Sequence, residues 1–368
     1  MSDRRVLELL GPSSGGIRQH VAELARNLAA SGWQPHLAGP AAATEGLDLG
    51  AASSSPIAFA MNPVQVLRAA ARVRSLAQST DLIHAHGLKA GWIAVLARSG
   101  VPIVVTVHNL VLDEAAGRSA GPLRRLEGWL PARVDAVIAV SDAVATRFGG
   151  PSTTVRVIPP AGPVPHPGRS RGEVRRSLHL PAGAPLVVSV ARLHPQKDLA
   201  TLIAAAERLR RELPEVRVVI VGEGPLQGTL RSLIRTRRLD DTVLLVGPSD
   251  NAADFMAAAD VVVITSLWES GPLVASEAML LERPLVSTPV GFVPTLIEHR
   301  RSGWLVEVGD ADAIGDAVLH ILRDPDGSAA LAVEGRQRAQ RLLGAPRLVA
   351  EVASVYDSVL AQRGGGSR

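Results

Sequence analysis

"PPAGPVPHPGRSRG", residues 159–172, holds five prolines and three glycines in fourteen positions. Proline fixes φ and lacks an amide hydrogen, and glycine adds backbone freedom, so the stretch continues neither a helix nor a central strand. It reads as a connector between domains. Short β-branched runs alternate with helix-period segments on both sides of it. Upstream lie "VLELL", "DLIHAH", "IVVTVH", "DAVIAV" and "TVRVIP"; downstream lie "LVVSVA", "RVVIVG", "TVLLVG", "DVVVITS" and "PLVST". These runs are apolar on both faces, the pattern of parallel strands covered by helices. "GGIRQHVAELARNLAASG" has helical period, with Ile17, Val21, Leu24 and Leu28 on one face and Gly32 just past the end. Asn62–Pro63 reads as a helix cap followed by proline in the first turn.

The fold expected is α/β: two Rossmann-like, doubly wound parallel-sheet domains facing a cleft. The boundaries expected are 1–163 for the first domain, 164–182 for a linker and 183–345 for the second domain. A C-terminal helix over 346–363 is expected to cross back to the first domain, with a disordered tail at 364–368. Ligands of such sheets gather at the carboxyl ends of strands, so chemistry is sought just after each run.

Composition narrows the function. Of 368 residues, 46% are hydrophobic and 20% charged, which suits packed globular domains. The net charge of +4 is modest, and no basic run carries interleaved aromatics, so no nucleic-acid partner is expected. Val6–Leu10 is too short for a secretory h-region. The absence of cysteine excludes disulfides and thiolate chemistry and fits a cytoplasmic location. Arg68, Arg72 and Arg74 beside an apolar helix face allow weak peripheral contact with the inner face of a membrane, although a solvated helix is the preferred reading of them. Only Lys89 and Lys197 are lysine among 39 basic residues, so each marks a place where a compact charge replaced the planar guanidinium.

"LVVSVARLHPQK" places Arg192 and Lys197 after a strand, with Asp198 able to cap the next helix. Two cations before a helix N-terminus suit an anion. "VVIVGEGPLQG" carries Gly222 and Gly224 in a turn that lets backbone approach a ligand. A nicotinamide site is disfavoured, because the next strand ends in Gly247 with only a later Asp250. "DVVVITSLWESGPLVASEAML" is strand, loop and helix. Gly271 permits a tight approach, Pro272 suits the first helical position, and the Leu273 and Val274 amides are open for a phosphate. Glu269 stands before that helix and Glu277 within it, eight positions on. A carboxylate at 277 can take two ribose hydroxyls, and one at 269 can meet a sugar.

The ordered set of glycine loop, strand-end histidine, "VARLHPQKD", "VGEGPL", E-x7-E and "GWLVEVGD" resembles the retaining family-four glycosyltransferases of GT-B architecture, from Gly15 to about Asp324. The resemblance implies a nucleotide-sugar donor in the second domain and an acceptor in the first. The acceptor would be a sugar, a lipid-linked group or a small molecule. It implies no cofactor and no metal. Arg192, Lys197, Leu273 and Val274, with Gly15 and Gly16, would hold the donor diphosphate. Glu277 would hold the ribose and Glu269 the transferred sugar, and His108 of "VTVHN" would stand near the scissile bond. His86, Gly222, Gly224, Gly271 and Phe292 would complete the site, while His84 reads as structural.

Three loops depart from the family pattern: "PPAGP" after the last strand of the first half, Gly271, and "GFVPT" at 291–295. They leave room for a catalytically silent nucleotide-sugar binder, or for an epimerase or hydrolase on the same fold. His84-x-His86 invites comparison with metal ligands, but the sequence offers no third ligand beside it. Asp310–Asp312 and Asp324–Asp326 spell D-x-D, yet their places suit a helix cap and a turn.

Overall fold

A computed structural model describes residues 4–13, 16–59, 62–109, 120–149, 154–162 and 164–365. The chain divides into two compact units. One comprises residues 1–163 with 343–368, the other residues 164–342.

The first unit holds a seven-stranded parallel sheet. Its strands are β1 (Arg4–Leu10), β2 (Trp33–Gly39), β3 (Ser53–Pro56), β4 (Leu82–His86), β5 (Ile103–Val107), β6 (Ala136–Ala139) and β7 (Thr154–Val157), in the order β3-β2-β1-β4-β5-β6-β7. The order reverses between β1 and β4. Helix Gly16–Ala30 buries Val21, Leu24 and Leu28, and Gly32 follows it with φ +91°. The Asn62 side chain accepts from the Val64 amide at 2.9 Å and caps Pro63–Ala77. β2 and β3 have no counterpart among the runs read from sequence. β2 contains Pro35, which is tolerated because the β3 ladder begins only at His36. β3 is the edge "SSSP", polar and largely exposed.

The C-terminal helix Ala345–Gly365 belongs to this unit. Leu348, Val349, Val352, Val355, Tyr356 and Val359 join Val6, Leu24, Leu28 and Trp33 in one buried cluster. Each such side chain contributes roughly 1.5–3 kcal/mol before ordering entropy is subtracted. The helix runs two residues into the stretch expected as a tail, and residues 366–368 lie outside those described.

The second unit holds six parallel strands. These are β8 (Leu186–Val190), β9 (Arg217–Val221), β10 (Val243–Gly247), β11 (Val261–Ile264), β12 (Leu285–Ser287) and β13 (Trp304–Leu305), in the order β10-β9-β8-β11-β12-β13. Here the order reverses between β8 and β11. The core gathers Val187, Leu202, Val218, Ile220, Val263 and Val286 with Ile314 and Val318 of helix Ala311–Arg323.

The segment 164–182 corrects the linker expectation, because it is built into this unit. Ser170 and Glu173 form a capping box on helix Arg171–Ser177. Asp254 accepts from the Gly168 amide at 2.6 Å and from Arg169 Nε at 2.8 Å, and Arg171 pairs with Asp260 at 2.6 Å. Proline and glycine density reports the absence of regular structure, not of tertiary contacts.

Gly222 and Gly224 have a structural task different from the one expected. They have φ of +143° and +158°, and the backbone they approach is the chain's own. A Cβ on Gly222 would lie 2.0 Å from the Ala191 carbonyl oxygen, and one on Gly224 would lie 2.5 Å from that of Leu193. The Leu193 amide donates to Glu223 O at 2.8 Å, and the Leu226 amide donates to Leu193 O at 3.0 Å. The turn after β9 thus clamps the loop that carries Arg192. Gly222→Ala is expected to lower stability by about 3 kcal/mol, from backbone strain together with overpacking. Urea unfolding checks this, and an unchanged midpoint would show that the clamp yields freely.

Candidate active site

In the second unit, the loops after β8 and β11 meet at the reversal of strand order, where ligands of open α/β sheets bind. The β8 loop brings Arg192 and Lys197, and the β11 loop brings Glu269. Gln196, buried between them, stitches the loops together. Its Nε2 donates to Trp268 O at 3.0 Å and to Glu269 Oε2 at 3.3 Å, while its carbonyl accepts from the Leu267 amide at 2.8 Å. Lys197 forms an ion pair with Glu269 Oε1, which also accepts from the Ser266 hydroxyl at 2.7 Å. The residues expected to hold diphosphate and sugar therefore touch each other. Arg192 is exposed, and the one hydrogen bond of its side chain among the described residues is a long 3.5 Å contact to Gln196.

Asp198 stands at the cap of helix Leu199–Glu212 in left-handed conformation. Its carboxylate accepts from the Thr201 hydroxyl at 2.6 Å and not from a helix amide, which corrects the capping expected of it. Pro272 likewise precedes the helix Leu273–Leu280 instead of opening it. Leu273 and Val274 are its first two residues, so their amides lack intrahelical acceptors. Glu277, a turn later, is half-buried, and its carboxylate has no hydrogen bond or ion pair among the described residues. Burial pushes its pKa up.

Gly271 lies in the turn before this helix. The loop after β12 closes on the same place. Gly291 has φ +60°, and a Cβ there would lie 2.7 Å from the Ser270 carbonyl oxygen and 2.9 Å from that of Glu269. Phe292 corrects the sequence reading. Expected to line the site, it is 2% exposed and its ring packs in the interior.

The first unit carries a second constellation at its own strand reversal. Gly16 opens helix Gly16–Ala30, while Gly15 lies outside the described residues. Glu8 of β1 is fully buried. Its Oε2 accepts from His86 Nε2 at 2.7 Å and its Oε1 from the Tyr356 hydroxyl at 2.9 Å, with His84 Nδ1 3.3 Å away. His84 Nδ1 also lies 2.6 Å from the Tyr356 oxygen, and its Nε2 lies 2.6 Å from the Thr106 hydroxyl. Burial alone would raise the Glu8 carboxyl, but His84 and His86 hold it well below the ordinary carboxylate range.

His108 follows β5, with its Nε2 3.2 Å from His86 Nδ1. His20 joins from the helix, with Nδ1 2.9 Å from Ala161 O. Burial first, then neighbouring His86, pushes the His20 pKa down to about 3. Burial and His84 push His86 down to about 4. Burial, then His20 and His86, hold His108 well below its usual value. The fold thus brings Glu8, His20 and His108 to the His-x-His pair, which from sequence had no third ligand beside it.

Glu8, His20, Gln196, Ser266, Gly291 and Tyr356 were not among the expected site residues. The signal for Glu8 was available, since it is a charge inside the apolar run "VLELL". Asp310 caps helix Ala311–Arg323 as expected, accepting from the Ala313 amide at 2.8 Å. Asp324 and Asp326 correct the turn expected of them: Asp324 precedes helix Pro325–Leu343 and accepts from the Gly327 amide at 3.0 Å, and Asp326 lies in the first turn of that helix.

Two parallel α/β units, with a cation–carboxylate loop at the strand reversal of the second, define an architecture suited to nucleotide-linked ligands. Residues 14–161 match the family model "Glycosyltransferase Family 4", and residues 170–338 match "Glycosyl transferases group 1". A D-inositol 3-phosphate glycosyltransferase of Xylanimonas cellulosilytica is 30% identical over 77% of this chain and 73% of its own length. An N-acetyl-alpha-D-glucosaminyl L-malate synthase of Bacillus anthracis is 25% identical over 52% of this chain and 50% of its own. The fold is shared with Anabaena HepE, solved in complex with UDP. That structure has a TM-score of 0.83 and 24% identity, and the match covers 96% of this chain and all of that one. The chain belongs to the family-four glycosyltransferases and has the GT-B fold. Among the described residues no helix is long and apolar enough to cross a membrane.

The Tyr356 hydroxyl supplies one of the donors that keep a buried carboxylate ionised. Tyr356→Phe is expected to cost about 1.5–3 kcal/mol, the range for a hydrogen bond to a charged group. Chemical unfolding checks it, and wild-type stability in the variant would mean that Glu8 does not need this donor.

Proposed function

We propose that the chain is a retaining glycosyltransferase that draws its sugar from a nucleotide-sugar donor and needs no divalent metal to do so. The observation that carries the reading is Glu277. A half-buried carboxylate without a partner is costly to leave alone, and a ribose diol would supply two hydroxyl donors to it. One turn before it, the Leu273 and Val274 amides favour a diphosphate, and Arg192 adds a full positive charge. Lys197 can exchange its contact with Glu269 for a phosphate oxygen. Glu269 Oε2, held only by a 3.3 Å contact with Gln196, can accept from a hydroxyl of the transferred sugar.

From the family resemblance we assign His108 to the transferred sugar. A phosphate oxygen of the departing diphosphate then takes the acceptor's proton, so no separate carboxylate base is required. By their names, the relatives above act on D-inositol 3-phosphate and form a product from L-malate. We infer an acceptor of similar kind, small, hydroxylated and anionic.

Glu277→Gln should weaken nucleoside diphosphate binding by about 1–3 kcal/mol, even with no sugar attached. In the wild type, affinity should fall with acid starting above the ordinary glutamate pKa of 4.5, because burial raises this group and its protonated form loses the grip on the diol. The Gln variant should lack that fall. Glu269→Gln should leave diphosphate affinity nearly intact and lower kcat. Titration calorimetry against UDP, GDP and ADP, followed by turnover with the matching donor, separates the two. Wild-type binding and turnover in both variants would end the assignment.

The charge on the leaving group is met by the chain itself. Saturating EDTA should therefore leave initial rates unchanged, while Arg192→Ala should weaken diphosphate binding with little effect on the nucleoside. Loss of activity on chelation, restored by magnesium or manganese, would contradict this.

A further inference from the structure

Glu8, His86 and His108 form a chain of hydrogen bonds that runs outward from the interior of the first unit. His86 Nε2 lies 2.7 Å from Glu8 Oε2, and His86 Nδ1 lies 3.2 Å from His108 Nε2. Exposure rises along the chain, from none at Glu8 to 2% at His86 and 6% at His108. His108 Nδ1, at the outer end, has no hydrogen-bond partner among the described residues.

Each link has a direction fixed by its donors and acceptors. The ionised Glu8 carboxylate can only accept, so the one proton of neutral His86 sits on Nε2. His86 Nδ1 is then a lone pair that needs a donor. His20 does not supply it, because its Nδ1 proton goes to Ala161 O at 2.9 Å and leaves Nε2 bare. The donor is His108 Nε2. Burial keeps His20, His86 and His108 neutral, so no second proton competes. Neutral His108 with its proton on Nε2 carries its lone pair on Nδ1.

The inner end of the chain is locked. The Tyr356 hydroxyl donates to Glu8 Oε1 at 2.9 Å, so its oxygen accepts from His84 Nδ1 at 2.6 Å. His84 Nε2 then accepts from the Thr106 hydroxyl at 2.6 Å. Every proton in this group has one place to go, and the carboxylate has no freedom to turn.

We propose that Glu8 and His86 are positioning residues for sugar transfer, which hold His108 as the Nε2-protonated tautomer so that its Nδ1 accepts from a hydroxyl of the transferred sugar. This rests on the assignment of His108 to that sugar and adds the polarity of the contact. The site takes a sugar that offers an O–H donor at this point. An ether, carbonyl or carboxylate oxygen there would meet a second lone pair. A buried carboxylate fixes an imidazole tautomer in the same way in the Ser-His-Asp triad, and here a second imidazole stands between the two.

The test uses the full chain. Nitrogen-15 NMR of the ligand-free wild type at neutral pH should show His108 protonated on Nε2 and bare on Nδ1. A proton on Nδ1 would overturn the proposal and leave the glycosyltransferase reading standing. His86→Leu removes the acceptor of the His108 proton. It should lower kcat about tenfold, the worth of one hydrogen bond, and leave affinity for UDP, GDP or ADP, whichever the wild type binds, unchanged. His86→Gln keeps the direction of the chain, because ionised Glu8 can face only its amide group, which leaves the carbonyl oxygen for His108 Nε2. That variant should keep most of the wild-type kcat. Wild-type kcat in His86→Leu, or an equal loss in both variants, would reduce His86 to a packing role and overturn the proposal. The wild-type spectrum decides the tautomer even if a variant fails to fold. Absence of sugar transfer by the wild type would overturn the sugar contact together with the reading beneath it, and not the tautomer.

Discussion

A carboxylate with no exposure to solvent constrains the first unit more than any apolar contact does. Removing Glu8 from water costs several kcal/mol, and that cost is offset only while its donors stay in place. Those donors come from separate parts of the chain: His86 and His84 on β4, and Tyr356 on the C-terminal helix. β1 and β4 are neighbours at the strand reversal, so the same bonds fix the place where the sheet changes direction. His86 then orients His108, and His108 meets His20. The geometry of the whole histidine group descends from one buried charge.

The second unit solves a related problem differently. Its site carries exposed Arg192 beside a lysine already paired with Glu269. That pairing keeps two long side chains ordered in the free protein, which lowers the entropy lost when a ligand orders them. Beneath them, Gly222, Gly224 and Gly291 let four loops stack in two pairs, backbone on backbone with no side chain between. The polar surface is therefore held by main-chain contacts, and the residues that shape it are not those that would touch a ligand.

All ten runs read from the sequence as strands are strands, because period and β-branching report a buried parallel sheet directly. β2, β3 and the two-residue β13 were not legible. Pro35 and the serine-rich edge look like loop, and only their neighbours in the sheet show otherwise. Within the site, spacing and strand ends sufficed to set Arg192 and Lys197 after β8, Glu269 after β11 and Glu277 within the next helix, although that helix starts at Leu273 and not at the expected Pro272. Gln196 and Ser266 could not, since nothing local distinguishes a polar residue that bridges two loops from one that faces solvent. Phe292 was misplaced for the converse reason, because adjacency in sequence to a site loop does not decide which way a ring turns. Tyr356 is the only tyrosine in the chain, yet it lies 348 residues from the glutamate that it serves.

The C-terminal helix has a consequence for the order in which the protein is made. Translation delivers β1 to β7 first, but the cluster around Val6, Leu24 and Trp33 lacks part of its cover until Val352, Val355 and Tyr356 emerge. All of 164–342 is synthesised in between and carries its own core. The unit that starts the chain is therefore the last to be completed. Until then the sheet lacks the cover of that helix, and Glu8 has its histidine donors on β4 but not the Tyr356 hydroxyl.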